Sequence, residues 1–194
     1  MRTAISSDPG ARANIHAHDA PASAWVRRFL PLIAPGGRVL DLAAGAGRHT
    51  ALLVRQGFGV TAADRKVAEL EAGFATEPRC RIVEIDLETG APWRLGDGFA
   101  GIVVSLYLHR PLFPDLGAAL APDGVLIYET FMRGNERFGR PTNPDFLLKP
   151  NELFEEFSPS LNVVAFEQGE VSAPKPAMMQ RMVAVKGGPA AVPA

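Results

Sequence analysis

Cysteine is almost missing from this chain: Cys80 is the only one among 194 residues. An intrachain disulfide is therefore excluded, which fits a reducing compartment and makes a cytoplasmic location the expectation. Long apolar runs are missing too. No stretch approaches the roughly 20 residues that a membrane-spanning helix needs, so no membrane segment is expected. The first residues, Met1 to Asp19, carry Arg2, Asp8, Arg12, His16 and His18 in place of the basic-then-apolar order of a secretory signal, which argues against export. Nor is one sign of charge in excess: 20 Lys and Arg stand against 21 Asp and Glu, the net charge is −1, and the basic residues are scattered. That disfavours a nucleic-acid partner, because binding a phosphate backbone takes massed cations. His16 and His18 lie two apart with no further His or Cys nearby, so no metal is expected.

What is present is the composition of a globular domain, 47% hydrophobic and 21% charged, in a length that suits one core. The polar stretch 1–19 reads as a flexible leader, 20–187 as the domain and 188–194 as a flexible tail. There is no internal repeat. Short runs of Val, Ile and Leu alternate with helical patterns, the mark of a parallel sheet covered on both faces. Strands are expected at 38–42, 59–63, 81–85, 101–106, 125–130, 161–167 and 179–186, and helices at 22–33, 48–56, 66–75, 111–120 and 151–157. Pro31 and Pro114 disturb the first and fourth of these helices. Residues 168–176 hold only a turn, so the last two strands form a hairpin. The expected fold is α/β: a doubly wound, mostly parallel seven-stranded sheet with a C-terminal antiparallel hairpin and helices on both faces. A loop at 131–148, rich in Gly, Pro, Asn and Arg, interrupts the alternation.

The most informative stretch is Val39-Leu40-Asp41-Leu42-Ala43-Ala44-Gly45-Ala46-Gly47-Arg48-His49-Thr50. A buried strand runs into a turn of small residues and then into a helix, so a ligand can approach the backbone where helix amides are free. Asp64 ends the second strand, about the right distance downstream to accept hydrogen bonds from a ribose diol. Asp86 ends the third, where it could meet an adenine amine. In an open α/β sheet such strand ends line one crevice, so Asp41, Asp64 and Asp86 are expected to face a shared ligand. Singly, each such Asp is more often a helix cap or a solvated loop residue. A nicotinamide dinucleotide would use the same architecture. It calls for a small residue at Thr50, however, and Asp41 would repel its pyrophosphate; a cofactor with a zwitterionic end complements Asp41 better.

These residues resemble the Rossmann-like class I methyltransferases that use S-adenosylmethionine, over about residues 22–186. The Asp41 to Gly47 turn is similar to that family's first motif, Asp64 to its ribose-binding acid, and Asp86-Leu87 to its adenine-edge pair. Ile102-Val103-Val104-Ser105 is similar to the fourth strand, and Pro122-Asp123-Gly124-Val125-Leu126 to the turn and strand after the fourth helix. Within the class, residues 146–153 and the terminal hairpin resemble the small-molecule, tellurite-resistance-like methyltransferases. The resemblance implies S-adenosylmethionine as cofactor and a small-molecule methyl acceptor. The cofactor set that it implies begins with Asp41, Ala43, Gly45 and Gly47 in the turn. Asp64, Arg65, Asp86, Leu87 and Ser105 at the following strand ends complete it. Two departures stand out. Ala44 replaces the usual glycine or cysteine, and Ser105-Leu106-Tyr107-Leu108 stands where enzymes that methylate adenine or glutamine amides carry Asn/Asp-Pro-Pro-aromatic.

Methyl transfer from a sulfonium is an in-line displacement that needs alignment and dry surroundings more than a reactive side chain. A general base helps only with a protonated acceptor, and His109, Tyr107 and Glu129 are the candidates. His109 has an equal reading as a cap on local backbone, and one of Tyr128 and Glu129 must point into the core because strand residues alternate. Arg48, Tyr128, Arg137 and Phe138 are the candidate acceptor contacts, the last two in a loop suited to cover an anionic or planar acceptor. For Arg48 a solvated surface, and for the loop a plain surface excursion, are the other readings. A nicotinamide-dependent reductase and a cofactor-binding regulator without catalysis remain the alternatives.

Overall fold

The computed structural model describes residues 20–188; the expected leader at 1–19 and positions 189–194 of the tail lie outside the described residues. Seven strands form one sheet: β1 (Arg38–Leu42), β2 (Gly59–Asp64), β3 (Cys80–Glu84), β4 (Phe99–Ser105), β5 (Leu120–Phe131), β6 (Asn162–Val171) and β7 (Ala177–Val185). Their order is β3-β2-β1-β4-β5-β7-β6, with β1 to β5 parallel and β7 antiparallel to both of its neighbours. This is the expected sheet and hairpin. Among the described residues no helix is long and apolar enough to cross a membrane.

The near-continuous apolar strands follow from burial on both faces. Leu40, Leu42, Ile102, Val104, Leu126 and Met182 point to one side, where α4 (Phe113–Ala119) and α5 (Glu152–Phe157) cover them with Phe113, Leu116, Leu153 and Phe157. Val39, Val103, Ile127 and Val183 point to the other, under α1 (Ala24–Phe29), α2 (Arg48–Arg55) and α3 (Ala68–Phe74), which contribute Phe29, Leu53 and Leu70. Each such side chain, fully buried, stabilises the fold by about 1.5 to 3 kcal/mol before entropy is counted.

Boundaries moved where proline or a cap intervened. Ser23 starts α1, its hydroxyl accepting from the amides of Trp25 at 3.1 Å and Val26 at 3.5 Å. Pro31 then tightens the rest of the expected 22–33 helix into a single 3-10 turn, Leu30–Leu32. The expected helix at 111–120 likewise divides into a 3-10 turn, Arg110–Leu112, and α4. Strand β5 begins before the expected turn at 122–124, which it absorbs as an irregularity with Asp123 at φ 60°. Strand β3 ends at Glu84, so Asp86 stands two residues past the strand end.

The segment 131–148 is tied down along its length. A bridge joins Met132 to Leu148. Asn135, 1% exposed, accepts from the Met178 amide at 3.2 Å and donates to the Pro141 carbonyl at 3.3 Å. Arg110 reaches from the residues after β4 to the carbonyls of Asp145 at 2.7 Å and Leu147 at 3.0 Å, and pairs with Glu152. The chain leaves β1 toward β2 on one side and returns from β3 to β4 on the other, so the carboxyl ends of β1 and β4 flank a crevice.

Candidate functional site

The crevice opens beside the turn between β1 and α2. Gly45 has φ 57° and Gly47 φ 86°, but for different ends. A Cβ on Gly47 would come within 2.6 Å of Phe74 and 2.9 Å of Leu70, so this glycine lets α3 pack against the turn. A Cβ on Gly45 would meet no protein atom within 4 Å; its open side is room for a ligand. Asp64 joins the end of β2 to this turn: Oδ2 accepts from the Gly45 amide at 2.8 Å and Oδ1 from the Lys66 amide at 2.9 Å. Asp86 accepts from the Glu88 amide at 2.9 Å through Oδ1.

Ala43, Asp64, Arg65, Ile85, Asp86, Leu87, Glu88 and Tyr107 together line a cleft of about 170 Å³. It combines apolar walls, Ile85 and Leu87, with three carboxylates, Asp64, Asp86 and Glu88; the bonds just given leave lone pairs of Asp64 and Asp86 uncommitted. Enclosed pockets for whole drug-sized ligands start near roughly 300 Å³, so this cleft has room for only part of such a ligand. A larger depression, about 410 Å³, lies at the opposite edge of the sheet between α4 and α5. Its one lysine, Lys186, donates to the carbonyls of Ala118 and Leu120, which makes it a structural tie.

Asp41 departs from the expected trio. It is 1% exposed and its carboxylate accepts from the Thr50 hydroxyl at 2.6 Å, turned inward beneath the turn. Burial pushes its pKa up from 3.8 to about 6, against the pull of the Thr50 bonds. Only Asp64 and Asp86 of the three line the cleft. His49, next in the helix, is also buried; its Nε2 accepts from the Ser23 amide at 3.2 Å, and burial pushes its pKa down to about 3.

The candidates after β4 and in β5 are separated by the structure. Tyr107 lines the cleft, and burial pushes its ionisation far up, so it keeps its proton. His109 is half-buried at the start of the Arg110–Leu112 turn, where its carbonyl accepts from the Leu112 amide. Glu129, 3% exposed, accepts from the Ser105 hydroxyl at 2.9 Å and lies 3.5 Å from Arg181. Arg48 donates to the same Ser105 hydroxyl at 3.0 Å. Ser105 is therefore a bridge between Arg48 and Glu129, and its hydroxyl is committed to protein partners. Tyr128 must be withdrawn from the acceptor contacts: it is 1% exposed, its ring packs against Phe113 and Phe157, and its hydroxyl donates to the Tyr107 carbonyl at 3.0 Å. Arg137 and Phe138 remain exposed, stacked on each other at 5.1 Å, with Arg137 3.8 Å from Glu170.

Sequence reasoning missed Arg181, partly buried, and Thr50 and Asn135, fully buried, as polar anchors. Gln180-Arg181, two polar residues in an otherwise apolar strand, was the signal for the first.

No family model matches the chain, and no curated protein does. Solved structures do. TehB from Haemophilus influenzae superposes with a TM-score of 0.69 at 18% identity, over 85% of this chain and 62% of that one; this chain thus spans under two thirds of TehB. A Burkholderia thailandensis 1,6-didemethyltoxoflavin-N1-methyltransferase, solved with 1,6-didemethyltoxoflavin and S-adenosylhomocysteine, gives 0.63 at 21% identity, covering 97% of this chain and 94% of its own. A TehB-like S-adenosylmethionine-dependent methyltransferase from Corynebacterium glutamicum gives 0.63 at 20%, covering 91% and 95%. Strand order, the antiparallel β7 and these superpositions together give this chain the Rossmann-like class I methyltransferase fold.

Proposed function

We propose that this chain is an S-adenosylmethionine-dependent methyltransferase acting on a small-molecule acceptor. The observation that carries the reading is the cleft beside Gly45, where Asp64 and Asp86 stand over apolar walls at the switch between β1 and β4. Its parts suit an adenosyl group. Asp64, held by two backbone amides, presents its remaining lone pairs to a ribose diol. Asp86 accepts from an exocyclic amine, while Ile85 and Leu87 flank a planar base. The open side of Gly45 and the first amides of α2 take an amino-acid tail. Asp41 acts on that tail through the turn's backbone, since its carboxylate is buried on Thr50.

When bound, S-adenosylmethionine supplies a methyl group on a sulfonium, which an acceptor displaces in line. The protein aligns the acceptor and excludes water. His109 is the general base for an acceptor that carries a proton, because Tyr107 keeps its own and Glu129 is engaged by Ser105 and Arg181. Arg48, Arg137 and Phe138 are the acceptor contacts. The 1,6-didemethyltoxoflavin-N1-methyltransferase among the structural neighbours supports a small acceptor.

Thermal unfolding tests the reading. S-adenosylmethionine and S-adenosylhomocysteine should raise the melting temperature, and nicotinamide dinucleotides should not. The reverse pattern would replace the methyltransferase by a reductase. Cofactor binding without methyl transfer to any of a panel of thiols, oxyanions, phenols and amines would support a non-catalytic regulator.

A further inference from the structure

Among the described residues two buried side-chain polar atoms lack a hydrogen-bond partner: Arg181 Nε and the Tyr107 hydroxyl. The first is ion-paired to Glu129 at 3.5 Å. The second belongs to a residue that lines the same cleft as Asp86 and Glu88. The Glu88 carboxylate, on an exposed turn, is close enough to help raise the hydroxyl's pKa, yet it does not meet hydrogen-bond geometry. A donor desolvated without a partner is a standing cost that a ligand acceptor can relieve.

The backbone holds Tyr107 in place. Leu106 takes φ 59°, a conformation that turns the chain sharply after β4, and its amide donates to the Glu129 carbonyl at 2.9 Å. The Tyr107 carbonyl accepts from the Tyr128 hydroxyl at 3.0 Å. Tyr128, removed above from the acceptor contacts, is thus a positioning residue for its neighbour.

We propose that the Tyr107 hydroxyl donates to a ring nitrogen of the cofactor's adenine and so helps select that base, an inference that rests on the reading of the cleft given above. A carboxylate can only accept, and a phenol that keeps its proton can donate. Asp86 and Tyr107 therefore set an acceptor and a donor on one cleft, the complement of a base edge that carries an amine and a ring nitrogen. A ring nitrogen in the cleft gives the hydroxyl an acceptor in hydrogen-bond geometry, which it lacks in the free protein.

Calorimetry with S-adenosylhomocysteine and its 1-deaza, 3-deaza and 7-deaza analogues tests this on wild type and Tyr107→Phe. Wild type should bind one of the analogues about fivefold to thirtyfold more weakly than the parent, the range for one hydrogen bond. Tyr107→Phe should lose the same factor with the parent and no further affinity with that analogue, the non-additivity of an interacting pair. Its unliganded melting temperature should equal or exceed that of wild type, because the deleted hydroxyl had no partner. Parent affinity unchanged by Tyr107→Phe, additive losses with all three analogues, or a melting temperature lowered by several degrees would each overturn the assignment. Wild type that binds no S-adenosylhomocysteine would instead overturn the proposed function itself.

Discussion

The Thr50 hydroxyl donates to the Asp41 carboxylate at 2.6 Å, directly beneath the turn that leads from β1 into α2. Asp41 is thereby a structural acid whose pKa, pushed up by burial from 3.8 to about 6, makes it sensitive to mild acid. A folded-state value above the unfolded one gives stability that is complete below about 3.8 and lost as the pH rises through about 6. Asp41→Asn keeps an acceptor for Thr50 and removes the buried charge. It should therefore be more stable than wild type at pH 8, by up to roughly 3 kcal/mol, with the difference gone by about pH 4. Urea unfolding at the two pH values checks this; a less stable variant at pH 8 would mean that the charge itself is stabilised.

His49 predicts the opposite slope. Its pKa falls on burial from 6.5 to about 3, so its contribution is complete above about 6.5 and is lost as the pH falls toward about 3. Between pH 6 and 4 it opposes Asp41. His49→Gln keeps a side-chain acceptor for the Ser23 amide and should flatten the acid limb of the melting-temperature profile. A profile as steep as that of wild type would assign the acid sensitivity to another group.

Removing Arg181 leaves Glu129 buried with Ser105 as its remaining partner. Arg181→Met should destabilise by about 3 kcal/mol, the lower end for breaking a buried ion pair. Adding Glu129→Gln should restore most of it. Failure of the double variant to recover stability in denaturant unfolding would show that the arginine acts through packing instead.

Asp64→Ala should weaken S-adenosylhomocysteine binding by about 1.5 to 3 kcal/mol, the range for hydrogen bonds to a charged group. Calorimetry measures it, with circular dichroism to confirm the fold. Unchanged affinity would remove Asp64 from the site.

His109→Ala should lower kcat on the true acceptor while leaving cofactor affinity within about twofold, since a base acts on the acceptor and not on the cofactor. Normal turnover would exclude the assignment.

The periodicities that predict the strands and helices are local, which is why the seven strands, the hairpin and the turn from Asp41 to Gly47 could be read along the chain. Helix ends were read less well, because Ser23 capping and the proline positions act within one turn. Of the candidate site, the convergence of Asp64 and Asp86 on one cleft was legible from the strand order. Asp64, Asp86 and Gly45 lie where strand order and turn chemistry put them. Which way Asp41 faces was not legible, because its partner Thr50 stands nine residues on, in the next helix.

By linear order alone, this chain determined its alternation of strand and helix, its closing hairpin and the small-residue bend after β1, since each depends on neighbours within a few residues. Only tertiary structure decided that Asp41 is buried, that Tyr128 belongs to the core, that Ser105 bridges Arg48 to Glu129 and that Tyr107 reaches the cleft. Those outcomes depend on which side chains from distant strands meet in a place without water, and a buried polar group must find its partner there.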